Sequence, residues 1–333
     1  MTDYRLIEIH VESQLLRGNP LGDPHARILR VIAPAEPREA LPVVWVLPAY
    51  AGTAAALVED DPWSENLLQR IRRLSASGVL GDAIFAIPDC FTLLGGSQYL
   101  DSPAQGPYQS HIWEELRPAI EARFATTGRH GVVGRSSGGY GAWVQAIQRP
   151  EWVRAIACHA ADMGFEWVYL PSFPALARAL ARHGGVEALV EAFRASIRKR
   201  SGEWFEPISV LCMAACYSPS PDAPLGIELP FDPRTLELRE EVWERWLAHD
   251  PLRMVEEPCA QQALRGLELL FLDCGSRDEY HLQYGLRRLS RRLRELGIPH
   301  EAEEFDDGHR STSYRFDVSL PRLVRVLRDG REG

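Results

Sequence analysis

The sequence predicts an α/β fold: a mostly parallel sheet of about eight strands with helices on both faces. Three observations predict it. Short, continuously apolar runs bounded by turn residues recur along the chain, as in strands buried on both faces. Stretches with helical periodicity alternate with them, and that alternation builds parallel sheets through crossover connections. The 333 residues are 45% hydrophobic and 25% charged, enough for one large core.

Residues 4–11 alternate apolar and charged side chains and read as a half-exposed edge strand. Residues 26–32 follow a turn-rich segment and read as its antiparallel hairpin partner. Residues 41–47 (Leu-Pro-Val-Val-Trp-Val-Leu) and 83–87 read as buried parallel strands, with a helix over 65–76 between them. A long Gly-, Ser- and Tyr-containing loop spans 91–108, and helical periodicity returns over 111–124. Further strands are expected at 130–133, 153–158, 267–272 and 302–305. Between 163 and 262 the alternation stops. Helical runs at 174–182 and 186–198, broken by prolines, read as a helical, cap-like insertion within a single domain spanning 1–333. Such an insertion would cover the carboxyl edge of the sheet, where ligands bind in open α/β sheets.

Net charge is −9 and mixed in sign along the chain, which argues against general affinity for nucleic acid or an anionic membrane. No apolar run is long enough to span a bilayer, and the polar start of the chain lacks the apolar core of a signal peptide. A cytoplasmic location is therefore expected. The six cysteines are scattered and mostly in apolar context, so they read as buried thiols rather than a metal site. The expected partner is a small molecule, and the sequence leaves room for a homo-oligomer.

Residues 131–142 read Gly-Val-Val-Gly-Arg-Ser-Ser-Gly-Gly-Tyr-Gly-Ala. Within them Gly134-Arg135-Ser136-Ser137-Gly138 fits G-x-S-x-G between a strand and a helix over 140–148. Strand, tight turn, Ser and helix together form the setting of a nucleophile elbow, with Ser136 as nucleophile. A serine hydroxyl needs a base, commonly a His oriented by a carboxylate. With the acid expected before the His in chain order, His309 is the candidate base, in a turn just past the last strand. Asp278 is the leading candidate acid after the penultimate strand, with Glu279 and Asp273 as competitors. The oxyanion of an acyl-transfer intermediate needs two N–H donors. Ser137 offers one and Tyr50 the other, with Ala51 as its alternative. Trp63, Tyr99, Tyr108, His159 and Trp167, with Tyr50 and Tyr169, are candidates to line a substrate pocket.

These residues carry a resemblance. The segments SQLLRGNPLGD (13–23), VVWVLPAYAG (43–52), IPDCFTLLGGSQYLDSPAQGPY (87–108), GRSSGGYGA (134–142), LFLDCGSRDEY (270–280) and EEFDDGHRSTSYR (303–315) resemble the esterase family of the α/β-hydrolase fold. That family includes S-formylglutathione hydrolases, feruloyl and acetylxylan esterases and enterochelin esterases, and the chain is most similar to the enterochelin-esterase branch. The resemblance implies a cofactor-free serine hydrolase that cleaves carboxylic esters through an acyl-enzyme, with Ser136, Asp278 and His309 as its triad. Many members begin the oxyanion loop with His-Gly where this chain has Pro48-Ala49, a change that leaves a backbone donor at Tyr50 in place. Two rival readings remain: an acyltransferase using the same triad, and a binding module on the hydrolase scaffold, which would require a defective triad.

Overall fold

The computed structural model describes residues 2–330. Among them the main sheet runs through β1 (Tyr4–Glu12), β2 (Ala26–Pro34), β3 (Leu41–Leu47), β4 (Ile84–Ile87), β5 (Thr126–Arg135), β6 (Val153–His159), β7 (Leu269–Gly275) and β8 (Glu301–Phe305). Their spatial order is β1-β2-β4-β3-β5-β6-β7-β8. β2 pairs antiparallel with β1 and β4, and every other pairing is parallel. The expected mostly parallel α/β architecture is borne out, hairpin included. The parallel strands therefore all point their carboxyl ends at one edge, the edge where a site can form.

Two strands run longer than their apolar cores. β5 starts at Thr126, because Leu41 pairs with it, and runs to Arg135 opposite His159. β7 continues to Gly275 because β8 pairs along it as far as Phe305, so Asp273 and Cys274 lie inside the strand. Both extensions are polar, and pairing with a neighbouring strand holds them in the sheet where composition alone would end them.

Strand periodicity sorts the core into two layers. Val44 and Val46 of β3, Ala155 and Ala157 of β6 and Phe271 of β7 face α1 (Leu67–Ala76) and the C-terminal helix Phe316–Asp329. Val43, Trp45, Ile156, Leu270 and Leu272 face the opposite layer, which holds α2 (Ser137–Gln148). α1 starts at Leu67 rather than 65 because Asn66 caps it: Asn66 accepts from Gln69 N–H and the Gln69 side chain accepts in return from Asn66 N–H. Between β6 and β7 the chain folds into helices, among them α3 (Phe173–His183), α4 (Val186–Ala195) and α5 (Gly202–Tyr217). Among the described residues no helix is long and apolar enough to cross a membrane. Five cysteines are buried as expected, while Cys259 is exposed.

At the amino end of β5, His130 is buried against the Trp113 and Trp152 rings, and its Nδ1 accepts a hydrogen bond from Trp45 Nε1 at 3.3 Å. Burial, aided by the Arg117 and Arg154 charges, pushes its pKa down to about 4. In the unfolded chain a His titrates near ~6.5, so between those values the unfolded state binds more protons and stability falls as pH is lowered. We expect the urea midpoint to drop as pH is lowered from about 7 to 4.5, and to drop less in His130→Phe, as denaturation curves at the two pH values would measure.

Candidate active site

Ser136 sits between the end of β5 and the start of α2, with φ 57° and ψ −126°. A non-glycine residue in that region carries roughly 1–3 kcal/mol of backbone strain, so the surroundings must hold it. They do so by contact. A Cβ on Gly134 would lie 2.4 Å from the Gly138 carbonyl, and one on Gly138 would lie 2.1 Å from Leu47 O. Strand β5, helix α2 and the end of β3 thus touch through two positions that admit no side chain. Ser136 N–H donates to His159 O at 2.8 Å, which ties the turn to β6.

Three carboxylates lie between 273 and 279, and the structure separates their bonding partners. Asp278 Oδ2 lies 2.7 Å from His309 Nδ1, both side chains being buried. Tyr280 N–H donates to Asp278 Oδ1 at 2.9 Å, and the Cys274 thiol lies 3.6 Å from Oδ2. Glu279 grips the base by its backbone, accepting from His309 N–H at 2.6 Å; that bond and others hold its carboxyl below the usual range. Asp273 faces elsewhere, bonded to His159 Nδ1 and to Arg315 Nε at 2.7 Å each. The Tyr280 ring meets the His309 ring edge to face at 4.7 Å. Arg135, the variable residue before the nucleophile, donates through Nη1 to His309 O at 2.6 Å, so the elbow itself anchors the His turn.

Ser136, Ser137, His309 and Tyr50 open on one cavity of about 670 Å³ at the carboxyl edge of the sheet. Ser137 is the first residue of α2, so its N–H has no carbonyl within the helix. Tyr50 is fixed by its hydroxyl, which donates to Leu94 O at 3.0 Å, and by its ring against Phe205. The N–H of the alternative, Ala51, is committed to Gly95 O at 2.9 Å.

Of the expected pocket aromatics, Tyr50 and Tyr169 line the cavity. Tyr99 borders only a narrow crevice behind the Tyr50 loop, its hydroxyl 2.5 Å from Pro48 O. The others correct the sequence reading. Trp63 is 94% exposed on a surface turn. Tyr108 is buried away from the cavity, accepting from Arg27. Trp167 lies at the surface beneath the Arg288 guanidinium. His159 points to the far face of the sheet, its Nε2 2.7 Å from Ser319 Oγ and its ring against Phe271 and Phe316. Strand parity carries that signal: Cys158 faces one layer, so the next residue faces the other.

Sequence reasoning missed Asp162. It follows β6 and lines the cavity wall, 5% exposed. Its Oδ1 lies 3.4 Å from Ser136 Oγ. Burial pushes its carboxyl up, against the opposing pull of the Gln98, Tyr169 and Ser137 hydrogen bonds.

A family profile described as "Putative esterase" matches residues 100–325. No curated protein matches the chain in sequence. Solved structures share the fold. A ferulic acid esterase superposes with a TM-score of 0.62 at 18% identity, covering 98% of this chain and 100% of the other. An S-formylglutathione hydrolase from Agrobacterium tumefaciens gives 0.56 at 17% identity, covering 97% and 94%. The enterochelin esterase from Shigella flexneri gives 0.52 at 15% identity, covering 96% of this chain and 57% of that one.

The division among the three carboxylates sets an order for their amide variants. With a short acyl ester as substrate, Asp278→Asn should lower kcat by about 10⁴-fold, as expected when an acid orienting a His is lost. Glu279→Gln should lower it by only about tenfold, one charge-assisted hydrogen bond of ~1.5 kcal/mol. Asp273→Asn should lower the melting temperature more than kcat. A larger kcat loss in either competitor than in Asp278→Asn would reassign the acid.

Proposed function

The chain belongs to the esterase family, and on that footing we propose that it hydrolyses carboxylic esters through an acyl-enzyme formed on Ser136. The observation that carries this reading is the buried Asp278–His309 pair, 2.7 Å apart, opening on the cavity that also holds the Ser136 elbow.

In the reaction so assigned, Ser136 Oγ attacks the ester carbonyl carbon while its proton passes to His309 Nε2. Asp278, bonded to Nδ1, fixes the tautomer and stabilises the imidazolium. The carbonyl oxygen becomes an oxyanion that accepts from the N–H groups of Tyr50 and Ser137. Collapse breaks the bond to the leaving alcohol, which departs with the proton from His309. Water then attacks the acyl-enzyme, giving one proton to His309. The second collapse frees the carboxylic acid and returns that proton to Ser136. Every atom of this cycle comes from the protein, the ester and one water.

Pre-organised N–H donors suit this chemistry because they are in place before charge develops. The Tyr50 loop is pinned by the Leu94 and Gly95 carbonyls, and the Ser137 N–H is set by the first turn of α2. A fluorophosphonate should therefore label Ser136, as peptide mass spectrometry would locate. Ser136→Ala should abolish labelling and lower kcat by about 10⁶-fold, while Ser137→Ala should still be labelled. A folded wild-type protein that is never labelled would overturn the reading.

A further inference from the structure

Asp162 is a charged side chain set in the cavity wall beside the nucleophile, and the reaction above gives it no part. Its two oxygens are unequally served. Oδ2 accepts from Ser137 Oγ at 3.0 Å, Tyr169 hydroxyl at 3.0 Å and Gln98 Nε2 at 3.2 Å. Gln98 Nε2 is itself 2.7 Å from the Tyr217 hydroxyl, so the clamp on Oδ2 is part of a buried network. Among the described residues the one hydrogen-bond partner of Oδ1 is Ser136 Oγ, at 3.4 Å. No arginine or lysine among them pairs with Asp162, and His309 acts on it by charge, pulling its carboxyl down against burial. The carboxyl is thus fixed in orientation by its far oxygen, and its near oxygen relies on the one hydroxyl that the chemistry consumes.

That reliance has a consequence. Once Ser136 has given its proton to His309 and carries the acyl group, its Oγ has no hydrogen left to donate. Oδ1 then loses the hydroxyl it faces in the cavity wall, and a donor carried by the substrate can take that place. We propose that Asp162 recognises a hydroxyl group that the substrate carries close to the scissile ester, so that the preferred substrates are esters of hydroxy acids or of polyols. This rests on Ser136 being the nucleophile. A hydroxyl is the fitting partner because it donates to a carboxylate and accepts from a protonated acid, and so serves either state of Asp162. The timing also matters. In the resting enzyme Ser136 occupies Oδ1, and the substrate hydroxyl gains the site as the serine proton leaves. An interaction that strengthens on the way to the transition state raises kcat rather than merely lowering KM.

The test uses two matched pairs of esters with the intact enzyme. Ethyl lactate against ethyl propionate places the hydroxyl on the acyl side; 2-hydroxyethyl propionate against propyl propionate places it on the alcohol side. The quantity read is the ratio of kcat/KM within each pair, compared between wild type and Asp162→Ala, so that the intrinsic reactivity of each ester cancels. In one pair the wild-type ratio should exceed that of Asp162→Ala by about tenfold or more, mostly through kcat. The responding pair tells a hydroxy acid from a polyol. Equal ratios in the two proteins for both pairs overturn the proposal. Should Asp162→Ala fail to fold, each wild-type ratio is divided by that for hydroxide-catalysed hydrolysis of the same pair, and quotients near one for both pairs overturn it. Failure of the esterase reading itself is distinguishable, because Ser136 would then go unlabelled by fluorophosphonate.

Discussion

The site depends on one close approach, the packing of Gly138 against the carbonyl of Leu47. That contact presses the first turn of α2 onto the end of β3. It holds Ser136 in a backbone conformation that an isolated turn would leave. It also sets the Ser137 N–H relative to the Tyr50 loop, because Ser137 opens the helix and the loop bearing Tyr50 leaves β3 directly after Leu47. From the same turn, Ser136 N–H reaches the end of β6 and Arg135 reaches the carbonyl of His309 beyond β8. The strained turn is therefore bonded to β6 and to the turn that carries His309, and packed against the strand from which the Tyr50 loop leaves. The strain persists because relieving it would break these bonds together.

The carboxylates show how a strand edge distributes identical side-chain chemistry. Asp273 is inside β7 and shares the face of Phe271, so it turns toward the C-terminal helix layer, where His159 and Arg315 neutralise it. Beyond Gly275 the pleat no longer dictates direction. Asp278 and Glu279 are adjacent in the turn that follows, and His309 receives both, one at its ring and one at its backbone. Two hydrogen bonds on different atoms of one residue fix position and orientation separately, which a single acid could not do. A fourth carboxyl, Asp162, lies on the β6 side of Ser136 and differs in that its hydrogen bonds come from neutral hydroxyl and amide donors.

What was legible in the sequence was local. The G-x-S-x-G turn, the turn carrying His309 and the strand positions all follow from residues close together in the chain, where spacing dictates geometry. The pocket was not legible in that way. Tyr108 and Trp167 are large aromatics whose direction is set by partners far away in sequence, Arg27 for Tyr108 and Arg288 for Trp167, and Trp63 stands exposed on a surface turn. His159 was legible in principle, since its neighbour Cys158 marks the parity of β6, but its position after the elbow strand outweighed that signal. Asp162 carried no local mark at all. Its setting comes from Gln98, in the loop after β4, and from Tyr169, which turns back on it from the helical segment after β6.

The cavity divides its two tasks between two kinds of structure. Tyr50, Ser136, Ser137, Asp278 and His309 lie at turns on the sheet edge, held by the central strands. The opposite wall comes from α5, whose Gly202, Phe205, Glu206, Ser209, Val210 and Met213 repeat at helical spacing and all face the cavity. That stripe mixes an aromatic ring, aliphatic chains, a hydroxyl and a carboxylate, so the wall can meet a substrate with both apolar and polar parts. Substitutions along the stripe change what the cavity accepts without moving the strained turn, because α5 lies in a connection between β6 and β7 and not in the sheet. On the proposed reading, reaction type and substrate choice are thus separable in this chain. Asp162 is the point where they meet, since it follows β6 at the sheet edge yet is held by Tyr169 from the helical segment.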